Sequence, residues 1–555
     1  MKYLKLTFLL CFTFSFALQA QIAPDKYWIQ FTDKDNSPYS IDNPSAFLSE
    51  RALERRERQE IAIEENDIPV NPNYLQAVAD AGATLLNPSK WLNGVTIKTT
   101  SQDVLEAIMA LPFVENTLKL TDDPIKQQIK EKTFFTNETY DITFVQPKSV
   151  AATNVLDYGS GYTQINQLNG ISIHDDGYQG QGMLIVVLDG GFLEVNTHSA
   201  FETMRNENRI LGTKSFINPG GSVYTDSYHG TSVLSTMGSF VPGTLIGTAP
   251  QASYYLLQSE DVNSENLIEE FNWVSATEYA DSLGVDVINS SLGYITFDDP
   301  IHDHSYSDMD GQTTFITIGA DIAASKGILV VNSNGNEGDI YNSYRYMGAP
   351  ADGFNVLSIG AVKSNGTIAS FSSLGPSYDG RVKPDVVAMG ESSAVATSYG
   401  MFSYGSGTSF ASPILAGMAA CLWQANPHLT SAQLRDAIRM SANRYENPND
   451  RYGYGLPDFT YANEILIMDS FPDPFSAMSL VTVAPNPCKD EFVINLLGGK
   501  DAKCTVYDIS GRFIMQQQIS KLTSKKLSVA NLQGGVYFVH VSDGDRTQVV
   551  KLVKQ

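Results

Sequence analysis

Hydrophobic and polar positions follow different patterns in successive parts of this 555-residue chain. Within residues 26–120, the runs 27–31 and 95–98 alternate as strands do, and residues 49–60 and 103–111 have the spacing of helices. Because strand and helix periods are mixed over a short stretch, we predict a small α+β unit.

After residue 120 both periods are lost. Residues 121–155 are mostly polar and charged, as in the run 126–132. A stretch without either period has no hydrophobic face to bury, so it is typical of a connecting segment. We interpret residues 121–155 as a processing linker.

Residues 156–465 contain short, mostly apolar runs at 184–188, 285–289, 328–331 and 356–359. Such runs are typical of parallel strands that are covered on both faces. The intervening segments have the spacing of helices, so the region predicts a doubly wound, mostly parallel α/β sheet.

Two features support helices in this region. Leu267, Phe271 and Val274 recur at helical spacing. Thr430 and Gln433 have the spacing of a capping box, in which each side chain bonds the backbone of the other residue, and they predict the start of a later helix.

The pattern changes again after residue 465. Residues 466–480 contain prolines and predict a linker, and residues 481–555 hold short alternating runs separated by Gly and Asn-Pro turns. We predict that this last segment folds separately as an all-β sandwich.

The composition indicates which class of protein this chain belongs to and which partners it excludes. Hydrophobic residues make up 43% of the chain and charged residues 18%, which is typical of globular proteins. The formal net charge of −24 argues against nucleic acid as a partner, because phosphate binding requires clustered Lys and Arg.

Residues 1–20 have the pattern of a secretory signal peptide. Lys2 and Lys5 precede an apolar run at 6–18, and Ala20 provides a small residue at the cleavage point. This run is too short to span a bilayer, and no later stretch reaches about 18 uninterrupted apolar residues. We therefore expect an exported protein with no transmembrane segment.

The four cysteines offer few disulfides. Cys11 lies in the signal peptide and Cys421 in a wholly apolar segment, which leaves Cys488 and Cys504 as the plausible pair. Disulfides are therefore not expected to be the main scaffold of this chain.

Three residues have the chemistry of nucleophilic catalysis. A serine becomes a good nucleophile when an imidazole accepts its proton and a carboxylate orients that imidazole. Asp189 directly follows the apolar run 184–188, at the carboxyl edge of the predicted sheet, where α/β folds place their sites. His229 begins a predicted helix. Ser409 precedes another, with Pro413 expected in its first turn and the positive helix end near the serine.

The segments around these residues resemble the motifs of the subtilase family in their residues and in their order along the chain. The matching segments are 187–191, 229–232, 335–338 and 407–413. The resemblance implies a serine endopeptidase in which Asp189, His229 and Ser409 form the triad and Asn336 is the oxyanion donor. It further implies that Ser291, Leu292 and Gly293 form a substrate-binding strand.

The regions on both sides of the predicted catalytic domain resemble accessory domains of secreted proteases. Residues 21–155 resemble an inhibitory prosegment with its linker. The segments 484–487, 506–512 and 532–537 resemble the type IX secretion sorting domain of Bacteroidetes, which implies the type IX secretion machinery as a partner and a secreted or surface-attached protein. A carbohydrate-binding sandwich is the alternative, although no aromatic platform is evident.

Other functions stay open from the residues alone. An inactive protease fold would serve surface binding or adhesion, and the same acyl-enzyme would serve an ester hydrolase or a transpeptidase. The triad requires no cofactor. Calcium is a possible ligand of an acidic insertion, although its spacing is not that of an EF-hand and a solvated loop is the favoured interpretation. The insertion contains Asp298, Asp299, Asp303, Asp308 and Asp310.

Overall fold

The computed structural model of the chain describes residues 25–120, 138–141, 154–470, 481–496, 501–508, 512–520, 524–542 and 547–555. The predicted signal peptide and most of the predicted processing linker lie outside these residues. The chain divides into two compact units, Met1–Glu464 and Ile465–Gln555, which are described separately.

The first unit begins with a four-stranded antiparallel sheet in the order β2-β3-β1-β4. Its strands are β1 (Lys26–Phe31), β2 (Thr84–Ser89), β3 (Gly94–Lys98) and β4 (Val114–Lys119). Its helices are α1 (Glu50–Arg58), α2 (Pro72–Asp80) and α3 (Gln102–Met109), with short 3-10 turns at Pro44–Ala46 and Glu65–Asp67. The two strands and two helices predicted for this region are confirmed.

The rest of the first unit is built on a seven-stranded parallel sheet in the order β14-β13-β12-β11-β6-β10-β7. Its strands are β6 (Leu184–Asp189), β7 (Ile210–Ser215), β10 (Ser253–Gln258), β11 (Val287–Ser290), β12 (Leu329–Ser333), β13 (Leu357–Val362) and β14 (Val386–Met389). The predicted doubly wound, mostly parallel fold is confirmed, and each of the four predicted apolar runs contributes a strand.

Two smaller sheets belong to the same unit. One is a hairpin of β8 (Phe240–Val241) and β9 (Leu245–Ile246). The other, in the order β15-β16-β5, contains β5 (Thr139–Tyr140), β15 (Ser393–Thr397) and β16 (Met401–Ser406).

The remaining helices follow the chain around the central sheet. They are α4 (Tyr162–Asn166), α5 (Ile171–Asp175), α6 (Glu202–Asn206), α7 (His229–Gly238), α8 (Ile268–Leu283), α9 (Phe315–Ser325), α10 (Thr408–Ala425), α11 (Ser431–Met440) and α12 (Phe459–Ser470), with 3-10 turns at Ser199–Phe201, Pro300–His302 and Tyr306–Asp308. The capping box of Thr430 and Gln433 is present at the start of α11. None of the helices among the described residues is both long and apolar enough to cross a membrane.

The strand order places a crevice beside β6. After β6 the chain builds β7 and β10 on one side, and then crosses to build β11 on the other side. Such a reversal leaves an opening at the carboxyl ends of the two strands, where ligands bind in doubly wound sheets. Asp189 ends β6 and Ser290 ends β11, so the residues that follow these strands face this opening.

The second unit is a two-sheet β structure, in agreement with the predicted sandwich. Its strands are β17 (Val481–Ala484), β18 (Glu491–Leu496), β19 (Ala502–Asp508), β20 (Phe513–Ile519), β21 (Ser524–Ser528), β22 (Gly535–Ser542) and β23 (Thr547–Lys554). The sheets have the orders β17-β18-β21 and β20-β19-β22-β23, and apolar side chains from both sheets form one core.

The expected disulfide between Cys488 and Cys504 is wrong. Both thiols are buried and free. Cys504 lies on β19, whereas Cys488 bridges Lys554 on β23 and is separated from Cys504 by the width of β22 and β23. Neighbouring strands lie about 4.8 Å apart, so these residues exceed the Cα separation of roughly 7 Å that a disulfide can span.

Candidate active site

A buried pair of Asp189 and His229 forms the base of the crevice. Asp189 accepts a hydrogen bond from the N–H of Gly190 at 2.7 Å, and both of its carboxylate oxygens lie 2.9 Å from Nδ1 of His229. Carboxylate oxygens only accept, so Nδ1 carries a proton toward Asp189, and Nε2 is the ring nitrogen that faces away from Asp189.

A glycine allows this close approach of helix and strand. His229 begins α7, and a Cβ on the next residue, Gly230, would lie 2.9 Å from Cβ of Asp189 and 2.4 Å from the carbonyl oxygen of Gly191. The glycine is therefore required by the packing of α7 against the end of β6.

Ser409 is the second residue of α10, after the N-terminal cap Gly407 and the first helical residue Thr408. Its Oγ donates to the carbonyl oxygen of Ser291 at 3.4 Å, and its own carbonyl oxygen accepts from Ser291 Oγ at 2.9 Å. The amino-terminal end of a helix carries partial positive charge, which favours negative charge that develops beside this serine.

The position of Pro413 differs from the expectation. Pro413 is the sixth residue of α10, in its second turn and not in its first. Proline has no N–H, so it cannot donate to the carbonyl four residues earlier, which is that of Ser409. The hydroxyl of Ser291 takes the place of this missing donor.

Asn336 follows β12 and is held against the start of α10. Its Oδ1 accepts from the N–H of Thr408 at 2.8 Å and from Thr408 Oγ1 at 2.9 Å. Because Oδ1 is engaged by the residue before Ser409, the amide is fixed with its NH₂ group as the donating side. The rings of His229 and Phe410, the residue after Ser409, lie 6.3 Å apart between centres, so the four residues predicted from sequence lie in one region of the structure.

Residues 291–293, predicted to form a substrate-binding strand, directly follow β11 and lie outside it. They present little side-chain surface. Ser291 bonds Ser409, and Leu292 packs in the hydrophobic core, while its carbonyl oxygen accepts from Asn332 Nδ2 at 3.1 Å. Gly293 is half-buried. If this segment contacts a peptide, it therefore does so mainly through backbone atoms.

Glu138 belongs to the site although its sequence context gave no sign of chemistry. Its carboxylate oxygens each lie 3.3 Å from Nε2 of His229, and its side chain is 3% exposed. The residues that follow it form β5, which extends the β15-β16 hairpin. Residues 139–145 alternate between polar and β-branched or aromatic residues, so the interpretation that 121–155 has no strand period is wrong at β5.

The two carboxylates determine the charge of His229. Burial disfavours the imidazolium, but the charges of Asp189 and Glu138 outweigh this effect and raise the pKa of His229 to about 10. With Glu138 in place, His229 is therefore protonated at neutral pH and cannot accept a proton from Ser409.

The acidic insertion uses its carboxylates locally. Asp298 accepts from the N–H of Glu265, and Asp303 accepts from the N–H of Phe297. The other three cap adjacent turns; they are Asp299, Asp308 and Asp310. In the described part of the chain, the acidic group with oxygens within 4.8 Å of one another is Glu260, Glu265 and Glu269, none of which belongs to the insertion.

A buried carboxylate, an imidazole and a serine at a helix terminus are the groups that serine hydrolases use. Residues 180–455 match the subtilase family, residues 26–135 match the peptidase S8 propeptide domain of Bacteroidota, and residues 482–555 match a secretion system C-terminal sorting domain.

Curated relatives agree with this match. Subtilisin NAT from Bacillus subtilis subsp. natto is 32% identical over 295 residues, which cover 53% of this chain and 68% of the relative. Subtilisin from Bacillus pumilus is 31% identical over 295 residues, covering 53% and 94%. A solved structure of the prenylagaramide maturation protease PagA has 23% identity and a TM-score of 0.43, covering 53% and 97%.

The chain belongs to the subtilase family. It is a secreted or cell-surface serine endopeptidase with a propeptide domain and a sorting domain, as its sequence implied.

Proposed function

We propose that the chain hydrolyses peptide bonds through an acyl-enzyme on Ser409. When Glu138 no longer contacts Nε2, His229 accepts the Ser409 proton and transfers it to the leaving amine, and Asp189 fixes the imidazole tautomer. The observation that carries this assignment is the buried contact of His229 Nδ1 with both oxygens of Asp189 at 2.9 Å, while the His229 ring lies 6.3 Å from that of Phe410, the residue after Ser409.

The oxyanion is stabilised by two donors in this proposal. The Asn336 side-chain NH₂ group and the Ser409 backbone N–H donate to the negative oxygen of the tetrahedral intermediate. The fixed orientation of Asn336 against Thr408 supports this role, because a donor that is already oriented needs no reorganisation during the reaction.

The chemistry uses only side chains and backbone amides, so we propose no required cofactor. Calcium stays a candidate structural ligand of the acidic insertion and not a reactant. The unfolding midpoint of the protein, measured with calcium and with a chelator, tests this, because a ligand of the folded state raises the midpoint. An unchanged midpoint would leave the insertion a solvated loop.

We propose the following order of domains. A signal peptide occupies 1–20, the prosegment and processing linker 21–155, the catalytic domain 156–465, a linker 466–480 and the sorting domain 481–555. The proposed partners are protein or peptide substrates, which Ser409 attacks, and the type IX secretion machinery, which recognises the sorting domain.

The test compares two buried serines of the same helix. Ser409→Ala should abolish turnover of a peptide substrate, whereas Ser412→Ala should retain it, because Ser412 Oγ bonds Asn289 at 2.8 Å, away from His229. Turnover of ester and amine-acceptor substrates, measured in parallel, separates a peptidase from an ester hydrolase or a transpeptidase. Peptidase activity retained by Ser409→Ala would refute the assignment.

A further inference from the structure

The prosegment inserts an arginine into a pocket of the catalytic domain. Arg55 lies on α1, and its side chain is 1% exposed. Its Nε donates to the carbonyl oxygen of Lys326 at 3.2 Å, and its Nη1 donates to that of Val285 at 2.6 Å. Its Nη2 donates to the carbonyl oxygen of Asp281 at 3.3 Å and to Oδ1 of the same residue at 2.5 Å. All three nitrogens of the guanidinium are therefore engaged.

Each acceptor of this pocket belongs to the catalytic domain. Asp281 lies in the last turn of α8, Val285 precedes β11, and Lys326 follows α9. We call the four oxygens the arginine pocket: Oδ1 of Asp281 and the carbonyl oxygens of Asp281, Val285 and Lys326. Since the prosegment supplies the arginine and none of these oxygens, the set of acceptors is complete on the catalytic domain alone.

The arginine pocket favours a guanidinium over an ammonium. A guanidinium is planar and donates in fixed directions from three nitrogens, whereas the ammonium of lysine is one compact charge. The carbonyl oxygen of Asp281 also lies at the C-terminal end of α8, where the helix carries partial negative charge. Arginine is therefore the side chain that fits both the positions of the four oxygens and their charge.

A second arginine, one turn earlier on α1, binds beside the pocket. The Nε of Arg51 donates to the carbonyl oxygen of Gly284 at 3.0 Å, and its Nη2 donates to the carbonyl oxygen of Gly182 at 3.0 Å and to Asp286. Gly284 allows this approach, because a Cβ there would lie 2.6 Å from the backbone nitrogen of Ala52. Residues four apart lie on one face of a helix, so this surface accepts two arginines at that spacing.

The arginine pocket lies at the end of the sheet opposite the active site. Val285 comes before β11 begins, whereas Ser291 comes directly after β11 ends and bonds Ser409. At about 3.3 Å per residue, the chain from Val285 to Ser291 spans roughly 20 Å. An arginine in the pocket therefore leaves the crevice free for the peptide bond that is cut.

We propose that the processed enzyme uses the arginine pocket as an exosite, which binds a helix of a substrate protein through two arginines four residues apart. The proposal rests on the proposed function, because the pocket opens only when the prosegment leaves and because the bound protein is the substrate of Ser409. In the precursor, Arg55 occupies the place of the substrate arginine. Binding at the exosite raises the local concentration of the substrate at the crevice.

The chemistry of the pocket is tested on the full-length Ser409→Ala precursor. Arg55→Ala empties the pocket in this chain, and N-ethylguanidinium replaces the atoms that the substitution removes. We expect N-ethylguanidinium to raise the unfolding midpoint of the Arg55→Ala chain as its concentration rises, and ethylammonium to have no such effect. The precursor that keeps Arg55 is the control and should respond to neither compound. No response of the Arg55→Ala chain, or an equal response to both compounds, would overturn the proposal.

Binding at the exosite is tested on the processed wild-type enzyme, separated from its prosegment. Labelling with a fluorophosphonate prevents digestion of the probe, which is an alanine-based helical peptide of about 16 residues with two arginines four positions apart. Fluorescence anisotropy measures its affinity. Lysine at both positions keeps the charge and should weaken binding at least about tenfold. Equal affinity for the arginine and lysine peptides, or no binding of either, would overturn the exosite.

Substitutions in the enzyme locate the bound peptide. Asp281→Asn removes the carboxylate of the pocket and should weaken binding of the arginine peptide at least about tenfold. Glu202→Gln removes a carboxylate at an exposed position and should bind the peptide as the wild type does. Unchanged binding in a folded Asp281→Asn enzyme would place the peptide elsewhere and overturn the assignment. The comparison of the two peptides on the wild type does not depend on the folding of this variant.

Kinetics separate this proposal from the proposed function. A short fluorogenic substrate is joined by a flexible linker to the arginine helix or to its lysine counterpart. We expect the KM of the arginine form to be at least about tenfold lower, with the same kcat, because the exosite adds binding and no chemistry. Equal KM values in an enzyme that turns over the short substrate refute the exosite alone. An enzyme that does not turn over the short substrate refutes the proposed function, and the anisotropy measurement still tests the exosite.

Discussion

The hydroxyl of Ser291 donates to the carbonyl oxygen of Ser409 at 2.9 Å. This bond joins the segment after β11 to the first turn of α10. It satisfies a buried carbonyl that the helix cannot satisfy, because Pro413 has no N–H at the position four residues later. The proline and the serine are therefore complementary: one removes a donor beside the nucleophile and the other replaces it.

Ser291→Ala should lower both stability and turnover. It leaves the buried Ser409 carbonyl without its donor, which costs about 1–3 kcal/mol in the free energy of unfolding. Turnover should fall because the backbone of Ser409 loses the hydrogen bond that fixes its position. Urea unfolding and peptide kinetics measure the two effects.

A second substitution separates this explanation from a general packing defect. Pro413→Ala restores an N–H that can donate to the Ser409 carbonyl within α10, so it should recover part of the stability lost in Ser291→Ala. If the double variant is no more stable than Ser291→Ala, the missing donor is not the reason for the loss.

Asn336→Ala should reduce the turnover number about a hundred- to a thousandfold, the loss known for an oxyanion donor of a subtilisin, with little change in the Michaelis constant. The reason is that the amide donates to charge that develops only in the transition state. Steady-state kinetics on a peptide substrate measure both constants. A change limited to the Michaelis constant would contradict the oxyanion role and indicate simple substrate binding.

Buried ion pairs join the prosegment to α8. Asp281 is fully buried and contacts Arg55 at 2.5 Å, Arg56 at 2.9 Å and Lys90 at 2.8 Å, all from the prosegment. Removing one partner of such a pair costs about 3–5 kcal/mol. Arg55→Ala should therefore destabilise the Ser409→Ala precursor by this amount in urea, whereas the more exposed Arg58 should change it little when replaced by Ala.

This contact also has a defined pH dependence. Burial opposes the charge of Asp281, but Lys90, Arg55 and Arg56 outweigh it and hold its pKa well below the usual value. A lowered pKa contributes stability above the unfolded value near 4 and loses it as the pH falls through the folded value. The stability difference between the Ser409→Ala precursor and its Asp281→Asn derivative should be constant above about pH 5 and shrink in stronger acid. A difference that shrinks already between pH 5 and pH 7 would contradict the ion pairs.

The sequence predicted those site residues that follow from local pattern. Asp189 ends an apolar run and Ser409 precedes another, so strand and helix ends located them before any contact was known. Glu138 could not be located this way, because its function depends on the pairing of β5 with β16, about 260 residues later in the chain. The same limit explains the wrong pairing of Cys488 and Cys504, since their separation depends on strand order.

Removal of residues 481–555 should abolish export and leave catalysis intact. The residues of the active site all lie in the first compact unit, and the removed strands form a core of their own. Expression in a host with type IX secretion tests export, and peptide turnover by the purified truncated enzyme tests catalysis. Normal secretion of the truncated chain would contradict the sorting role. A folded but inactive truncated enzyme would contradict the independence of the catalytic unit.

The central claim is that Ser409 is the nucleophile of an active peptidase. The most direct measurement is labelling of the processed enzyme with a fluorophosphonate, followed by peptide mapping and residual activity. We predict one covalent adduct per chain, on Ser409, and loss of peptide turnover in proportion to labelling. Full peptidase activity after complete labelling, or an inactivating adduct on another residue while Ser409 stays unmodified, would contradict the account.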